Sequence, residues 1–158
     1  MAKILIAYYS RTGNTEKMAN EIAKAAEKEK AEVDLKRVED VKVGDLLNYD
    51  GIVLGSPTYY GSMSAEIKKL LDDSVKIHGK LQGKVGAAFS SSANIGGGNE
   101  TTILDIINAM LIHGMVVQGD HSGDHYGPVG VNAPDARAIK QCQRLGERTA
   151  RLVKKLFG

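Results

Sequence analysis

Short, unbroken apolar runs alternate with amphipathic stretches of helical period along the whole chain, and this alternation restricts the fold more than any other feature. Ile4-Leu5-Ile6-Ala7-Tyr8-Tyr9 carries no charged residue, the pattern of a strand covered on both faces. Thr15, Met18, Ala19, Ile22, Ala23 and Ala26 then recur at helical spacing, with Glu and Lys between them. Val33, Leu35 and Arg37 alternate with Asp34, Lys36 and Val38, as on an exposed edge strand. Ile52-Val53-Leu54 is a second buried run, followed by Met63, Ile67, Leu70 and Leu71 on one side of a helix. Val85 to Phe89 predicts the next strand. A helix from Glu100 to His113 follows, with Ile103, Leu104, Ile107, Met110 and Leu111 as its apolar face. Met115-Val116-Val117 reads as the last strand. A terminal helix from Asp135 buries Ile139, Cys142, Leu145, Leu152, Val153 and Leu156, with Pro134 placed for its first turn. Five strands alternating with four helices through short connections predict an α/β fold. Its parallel sheet lies between two helical layers, in a single domain spanning residues 1–158.

Composition narrows the function. The net charge of +2 is too small to indicate a nucleic-acid partner or an anionic membrane surface. No apolar run reaches bilayer-spanning length, so no membrane insertion is expected. The start, Met1-Ala2-Lys3 followed by Ile4 to Ala7, is too short in apolar residues for a secretory signal. Cys142 is the only cysteine, which excludes an internal disulfide framework and points to a reducing cytoplasm.

In open α/β sheets, ligands bind beyond the C-terminal ends of the strands, so the segments after the buried runs matter most. The first is followed by Ser10-Arg11-Thr12-Gly13-Asn14-Thr15, which leads straight into a helix. The next is followed by Gly55-Ser56-Pro57-Thr58-Tyr59-Tyr60-Gly61, and Val85–Phe89 by Ser90-Ser91-Ser92-Ala93-Asn94-Ile95-Gly96-Gly97-Gly98. All three are rich in Ser, Thr and Gly, and all three fall on one edge of the sheet. The first has the make-up of a phosphate cradle, in which a helix N-terminus offers unpaired N–H groups and Gly13 permits close approach. Taken alone, it reads equally well as a set of helix caps. It contains neither Gly-Lys-Ser/Thr nor G-x-G-x-x-G, so a P-loop and a dinucleotide fingerprint are excluded. Tyr59 and Tyr60 offer stacking to a planar heterocycle, and the glycines of the third loop suit close backbone approach to a flat ring.

Other chemistries fit less well. A receiver domain needs an aspartate where the chain has Gly55-Ser56, and a cysteine phosphatase needs a thiolate in the first loop, whereas Cys142 falls on a helix. Asp120-His121-Ser122-Gly123-Asp124-His125 packs two His and two Asp into the long Gly119–Asn132 loop, but without a cysteine partner it reads as a solvated loop, and no metal is expected. No Ser-His-Asp arrangement is identifiable.

Tyr9-Ser10-Arg11-Thr12-Gly13-Asn14-Thr15-Glu16 resembles the phosphate loop of flavodoxins. Gly55 to Met63, Phe89 to Ser92 and Gly96 to Glu100 are similar to WrbA-type NAD(P)H:quinone oxidoreductases, and His113-Gly114-Met115 and Tyr126-Gly127 extend the likeness. The resemblance implies a flavodoxin-like three-layer sandwich with a five-stranded parallel sheet in the order 2-1-3-4-5, and FMN as cofactor. It puts the phosphate on Ser10, Thr12, Gly13, Asn14 and Thr15, with Arg11 among the cofactor-binding residues. The flavin ring would lie between Pro57, Thr58, Tyr59, Tyr60 and Gly61 on one side and Ser91, Ser92, Ala93, Asn94, Ile95, Gly96 and Gly97 on the other. His113 matches a flavin-contacting histidine of that family, and reads equally well as a helix-terminal residue favoured by the dipole.

Two functions follow from the resemblance. One is an FMN-dependent oxidoreductase passing electrons from NAD(P)H to a quinone or similar acceptor, as a homo-oligomer (dimer or tetramer). The other is a flavodoxin-type carrier with no catalytic activity of its own. The segments Val38–Ile52 and Asp72–Lys84 are shorter than in the quinone oxidoreductases, where insertions help build the oligomer and cover the substrate site. Thr12 stands where that family tends to carry an aromatic. The third loop has no aromatic to cover the second face of a flavin, and an open face is what a hydride donor needs, which favours the oxidoreductase.

Overall fold

Period-two alternation sorts the strand residues between two cores. Along β1 (Lys3–Tyr8), Ile4, Ile6 and Tyr8 face one side and Leu5 and Ala7 the other. The computed structural model describes residues 2–158. After β1 come α1 (Asn14–Lys28), β2 (Glu32–Arg37), β3 (Gly51–Pro57), α2 (Ala65–Asp73), β4 (Val85–Ser92), α3 (Asn99–Ile112), β5 (Val116–Val117), β6 (Val129–Val131) and α4 (Ala136–Phe157). The sheet runs β2-β1-β3-β4-β5 with every pairing parallel, and β6 adds to β4. The expected order and three-layer sandwich are therefore present. Helices α1 and α4 cover the Ile4–Ile6–Val53–Phe89 face. Helices α2 and α3 cover the Leu5–Leu54–Ala88 face. No helix among the described residues is long and apolar enough to cross a membrane.

The far edge of the sheet differs from the sequence expectation. The last strand is in two pieces: Val116–Val117 pairs with Val85–Gly86, and Val129–Val131 pairs with Ser90–Ser92. The second piece lies in what reads as loop, because Val129-Gly130-Val131 is too short to register as an apolar run. β4 also continues through Ser90, Ser91 and Ser92, all buried. Pro134 precedes the cap of α4 instead of entering its first turn: Asp135 is the N-cap, its carboxylate accepting from the Ala138 N–H at 2.8 Å.

The excursion between β5 and β6 is clamped, not solvated. Asp120 is 4% exposed and accepts two bonds from Arg144, Nε to Oδ2 at 2.8 Å and Nη2 to Oδ1 at 2.7 Å. Arg148 donates to the carbonyls of Gln118 and Gly119. The Arg144 bonds hold the Asp120 carboxyl well below the usual carboxylate range. The second acid, Asp124, accepts from Arg137 at 2.7 Å and from the Val129 N–H at 2.9 Å. Both acids of the cluster are thus paired with arginines of α4.

Close packing at the sheet centre depends on Gly55. It pairs in register with Phe89, and a methyl placed on it would lie 2.0 Å from the Phe89 ring carbon Cζ. Gly55→Ala is expected to lower stability by about 1–3 kcal/mol through overpacking. The Gly55→Ala/Phe89→Leu pair should lose less than the sum of its single variants, measured as a double-mutant cycle on chemical unfolding of the apo-protein.

Candidate functional site

A cleft of about 750 Å³ opens at the C-terminal ends of β1, β3, β4 and β6, within the range of small-molecule sites. Its walls are Ser10, Arg11, Thr12, Asn14, Thr15, Pro57, Thr58, Tyr59, Ser91, Ser92, Ala93 and Asn132. The three segments singled out in the sequence therefore meet in one place.

The first wall is the N-terminus of α1. Gly13 sits at the N-cap with φ of 96°, a left-handed conformation that glycine adopts freely. The buried Ser10 turns its hydroxyl back to accept from the N–H groups of Gly13 (3.1 Å) and Glu16 (3.3 Å). Its carbonyl accepts from Arg37 Nη2 at 2.7 Å. Among the described residues, the N–H groups of Arg11, Thr12, Asn14 and Thr15 have no partner within the protein, and they lie where the helix dipole is positive. Glu16 would oppose an anion here. Its carboxylate is instead drawn back by the Tyr8 hydroxyl, which donates at 2.8 Å. Burial, then Glu16, pushes the Tyr8 phenol up to about 12, so it stays a donor. Thr15 Oγ1 and Ser91 Oγ, 2.9 Å apart and buried, tie the helix to β4.

The second wall is a rigid turn. The Thr58 N–H donates to the Ser91 carbonyl at 2.7 Å, and its hydroxyl lies 3.0 Å from that of Ser90. Tyr59 and Ser62 exchange backbone bonds across Tyr60 and Gly61, whose φ values of 50° and 80° make a two-residue hairpin of the I′ kind. Thr101 Oγ1 donates to the Gly61 carbonyl at 2.7 Å and Ser62 Oγ to Asp105 at 2.6 Å, so α3 holds the hairpin from outside. Tyr59 lines the cleft, edge-on to Tyr9 with ring centroids 6.3 Å apart. Tyr60 points into solvent.

Ser92 and Ala93 form the third wall. Beyond them the chain is held by Ser92 Oγ donating to the Asn94 carbonyl at 2.8 Å and the Gly97 N–H to the same carbonyl at 3.1 Å. Asn94, Ile95 and Gly96 are exposed. Of the anticipated residues, Tyr60, Gly61, Asn94, Ile95, Gly96 and Gly97 thus adjoin the cleft walls without lining the cleft, and Gly13, the N-cap of α1, does not line it either. Asn132, absent from the sequence reading, lines it. No local pattern marked Asn132, since its place depends on β6.

His113 lies apart from the cleft of its own chain. It caps the far end of α3, 14 residues long, and therefore about 21 Å from the cleft end of that helix. Its Nε2 is 2.7 Å from Ser74 Oγ, which itself donates to the Leu71 carbonyl at 2.6 Å. Nε2 therefore carries the proton, and Nδ1 is left buried with no partner. The resemblance carried a residue type along the sequence, but α3 delivers it to the opposite edge of its own chain's sheet.

Burial, reinforced by His78, holds His113 below the ordinary histidine range. Its unfolded counterpart titrates near about 6.5. As pH falls below that value the unfolded chain takes up a proton that the folded chain refuses, so stability falls. Urea midpoints measured from pH 7.5 to 5.0 should show this slope, and His113→Gln, which keeps a donor to Ser74, should flatten it. An equal slope in the variant would assign the effect elsewhere.

A flavodoxin-domain family profile matches residues 5–101. A protein named flavodoxin from Aquifex aeolicus is 40% identical, covering 97% of this chain and 88% of that one. A protein named NAD(P)H dehydrogenase (quinone) from Archaeoglobus fulgidus is 33% identical over 190 aligned positions, covering 99% of this chain and 100% of that one. That alignment is longer than the 158 residues present here, so the relative carries insertions this chain lacks. The solved structure of a flavodoxin, WrbA-like protein from Agrobacterium tumefaciens superposes with a TM-score of 0.82 at 25% identity, covering 99% of both chains. The chain belongs to the flavodoxin family.

Proposed function

We propose that this chain, as one flavodoxin-like domain over residues 1–158, is an FMN-dependent oxidoreductase passing electrons from NAD(P)H to a quinone or similar acceptor. The observation that carries the reading is the asymmetry of the cleft. One end is a helix terminus with unpaired N–H groups, and of the two loops beside it only one brings an aromatic, Tyr59, to the wall. The residues fit FMN: the N–H groups of Arg11, Thr12, Asn14 and Thr15 with the Thr12 and Thr15 hydroxyls suit a phosphate. The Thr58–Tyr59 and Ser92–Ala93 walls suit a flat ring. Bound there, FMN would supply the hydride-accepting and electron-donating chemistry.

The chain's own part is to bind and orient. Ser10 spends its hydroxyl on the loop itself, fixing the donors before any ligand arrives. Glu16, drawn to Tyr8, keeps its charge off the phosphate end. Tyr59 covers one face of the slot, and its phenol is kept protonated by burial first and by Tyr9. The opposite face, bordered by Ala93 and the exposed Asn94–Gly96 turn, is left for a nicotinamide or an acceptor. A homo-oligomer, dimer or tetramer, agrees with exposed Val75, Leu111 and Ile112 around the far end of α3. A cytoplasmic setting agrees with Cys142, unpaired and buried, its thiol pushed up to about 12 by burial.

The relative named flavodoxin favours a second reading, a carrier without catalytic activity. The short stretches between Val38 and Ile52 and between Asp72 and Lys84, which hold 3-10 turns at Val38–Asp40, Val43–Asn48 and Ser74–Ile77, favour it too. Anaerobic mixing of the FMN-loaded protein with NADH and with NADPH separates the two. Direct bleaching of the flavin absorbance at a saturable rate is expected, and inertness toward both nucleotides would leave the carrier. Asn14→Ala should weaken FMN binding by about 1–3 kcal/mol with little change in the apo-protein. Thr15→Val should weaken FMN comparably and also lower the apo melting temperature, because it strips the buried Ser91 hydroxyl of its partner. Calorimetry and thermal unfolding read the two effects separately.

A further inference from the structure

We propose that the Arg11 guanidinium holds a phosphate group of the nicotinamide dinucleotide and so governs which electron donor the cleft takes. The proposal rests on the reading of the cleft as an oxidoreductase site. Among the described residues, Arg11 is the one charged residue on the cleft walls. The chain has six arginines, and five of them pair with carboxylates of the protein itself. Arg11 is the sixth, and no carboxylate among the described residues lies within ion-pair distance of it. The nearby acids are held elsewhere or stand off. Glu16 is drawn back by Tyr8, and Glu66 of α2 acts on Tyr59 without pairing with Arg11.

Backbone and side chain of Arg11 serve different ends of the cleft. The N–H stands with the free donors at the start of α1, which suit the flavin phosphate. The side chain is exposed and leaves the loop ahead of the N-cap Gly13. Burial and Tyr9 push the Tyr59 phenol up and Arg11 opposes them, which sets the guanidinium beside that phenol on the second wall. Tyr59 is itself 38% exposed, so Arg11 spans the cleft at its mouth and not on its floor. A dinucleotide with its nicotinamide on the open face of the slot must run its remaining length out through this mouth. Its phosphates are its anionic groups, and a planar guanidinium takes a phosphate through two parallel bonds. The bridging diphosphate is common to NADH and NADPH, whereas the 2′-phosphate belongs to NADPH alone. A neutral quinone offers Arg11 no such group.

Arg11→Met keeps the backbone N–H and removes the charge, whereas Arg11→Lys keeps a charge without the planar fork. The test combines calorimetric binding of FMN to each apo-protein with anaerobic bleaching of the FMN-loaded protein over a range of NADH and NADPH concentrations. Calorimetric binding of ADP and of adenosine 2′,5′-bisphosphate to the loaded protein reads the same contact without turnover. In Arg11→Met the nucleotide concentration for half-maximal bleaching is expected to rise about 10-fold. Binding of the matching analogue should weaken alike, and FMN affinity should stay at the wild-type value. Arg11→Lys should recover part of the loss. A loss confined to NADPH and the bisphosphate assigns the 2′-phosphate, and an equal loss with NADH and ADP assigns the diphosphate. Wild-type saturation by both nucleotides in Arg11→Met would overturn the assignment of Arg11 while leaving the oxidoreductase reading intact. A loss of FMN affinity in its place would overturn it too, by putting the guanidinium on the cofactor. A wild-type protein inert toward both nucleotides would overturn both readings.

Discussion

Three consecutive buried serines at the end of β4 are the constraint on which the cleft depends. Ser90, Ser91 and Ser92 are each no more than 8% exposed, and buried hydroxyls and peptide groups cost heavily unless paired. Their partners come from three different segments. Ser91 Oγ meets Thr15 of α1, Ser90 Oγ meets Thr58 beyond β3, and the Ser91 carbonyl takes the Thr58 N–H. The Ser92 carbonyl takes the N–H of Asn132 beyond β6. Satisfying one short polar strand end thus fixes three other chain segments against β4. An apolar strand end would have packed as well, but it would not have specified where the loops sit.

The first loop obeys the opposite logic. A helix start normally pairs its free N–H groups with a cap. Here Ser10 takes only those of Gly13 and Glu16, and Asn14 and Thr15 are left facing the cleft beside Arg11 and Thr12. Water meets these donors at little cost, and an anion meets them better, since the dipole adds to the hydrogen bonds. The one nearby acid is turned away by a tyrosine whose phenol burial keeps protonated. Preorganisation therefore comes from withheld caps on one wall and fully paired serines on the other.

Periodicity made the layers legible. The alternation of Ile4, Ile6 and Tyr8 with Leu5 and Ala7, and the Met18–Ile22–Ala26 stripe, state which face goes where. What escaped was set by partners distant in sequence. β6 is three residues long and exists because β4 offers an edge to pair with. The serines of β4 are polar and read as loop, and only their cross-strand partners make them strand. Asp120 reads as solvated because its arginines, 144 and 148, lie on α4. Asn132 belongs to the cleft only once β6 is placed. His113 is reached through the resemblance alone, and α3, running along the sheet from Asn99, carries it to the end away from its own chain's cleft.

The hairpin at Tyr60 and Gly61 bears most directly on what the cleft can do. Its two left-handed residues close a turn that Thr101 and Asp105 hold against α3 from outside. The third loop touches it: a methyl on Gly98 would lie 2.9 Å from Gly61 Cα. Two loops so joined cannot close independently over a ligand, and a shift in one must displace the other or break the bonds to α3. The slot between Tyr59 and Ser92–Ala93 is therefore built with a set width. Chemistry at its exposed face is governed by what can reach past Tyr60 and Ile95, which stand fully in solvent on the two joined loops. With both side chains out in solvent and no aromatic on the third loop, that face of the slot stays open to a nicotinamide ring, which is the geometric reason for reading the cleft as a reductase site.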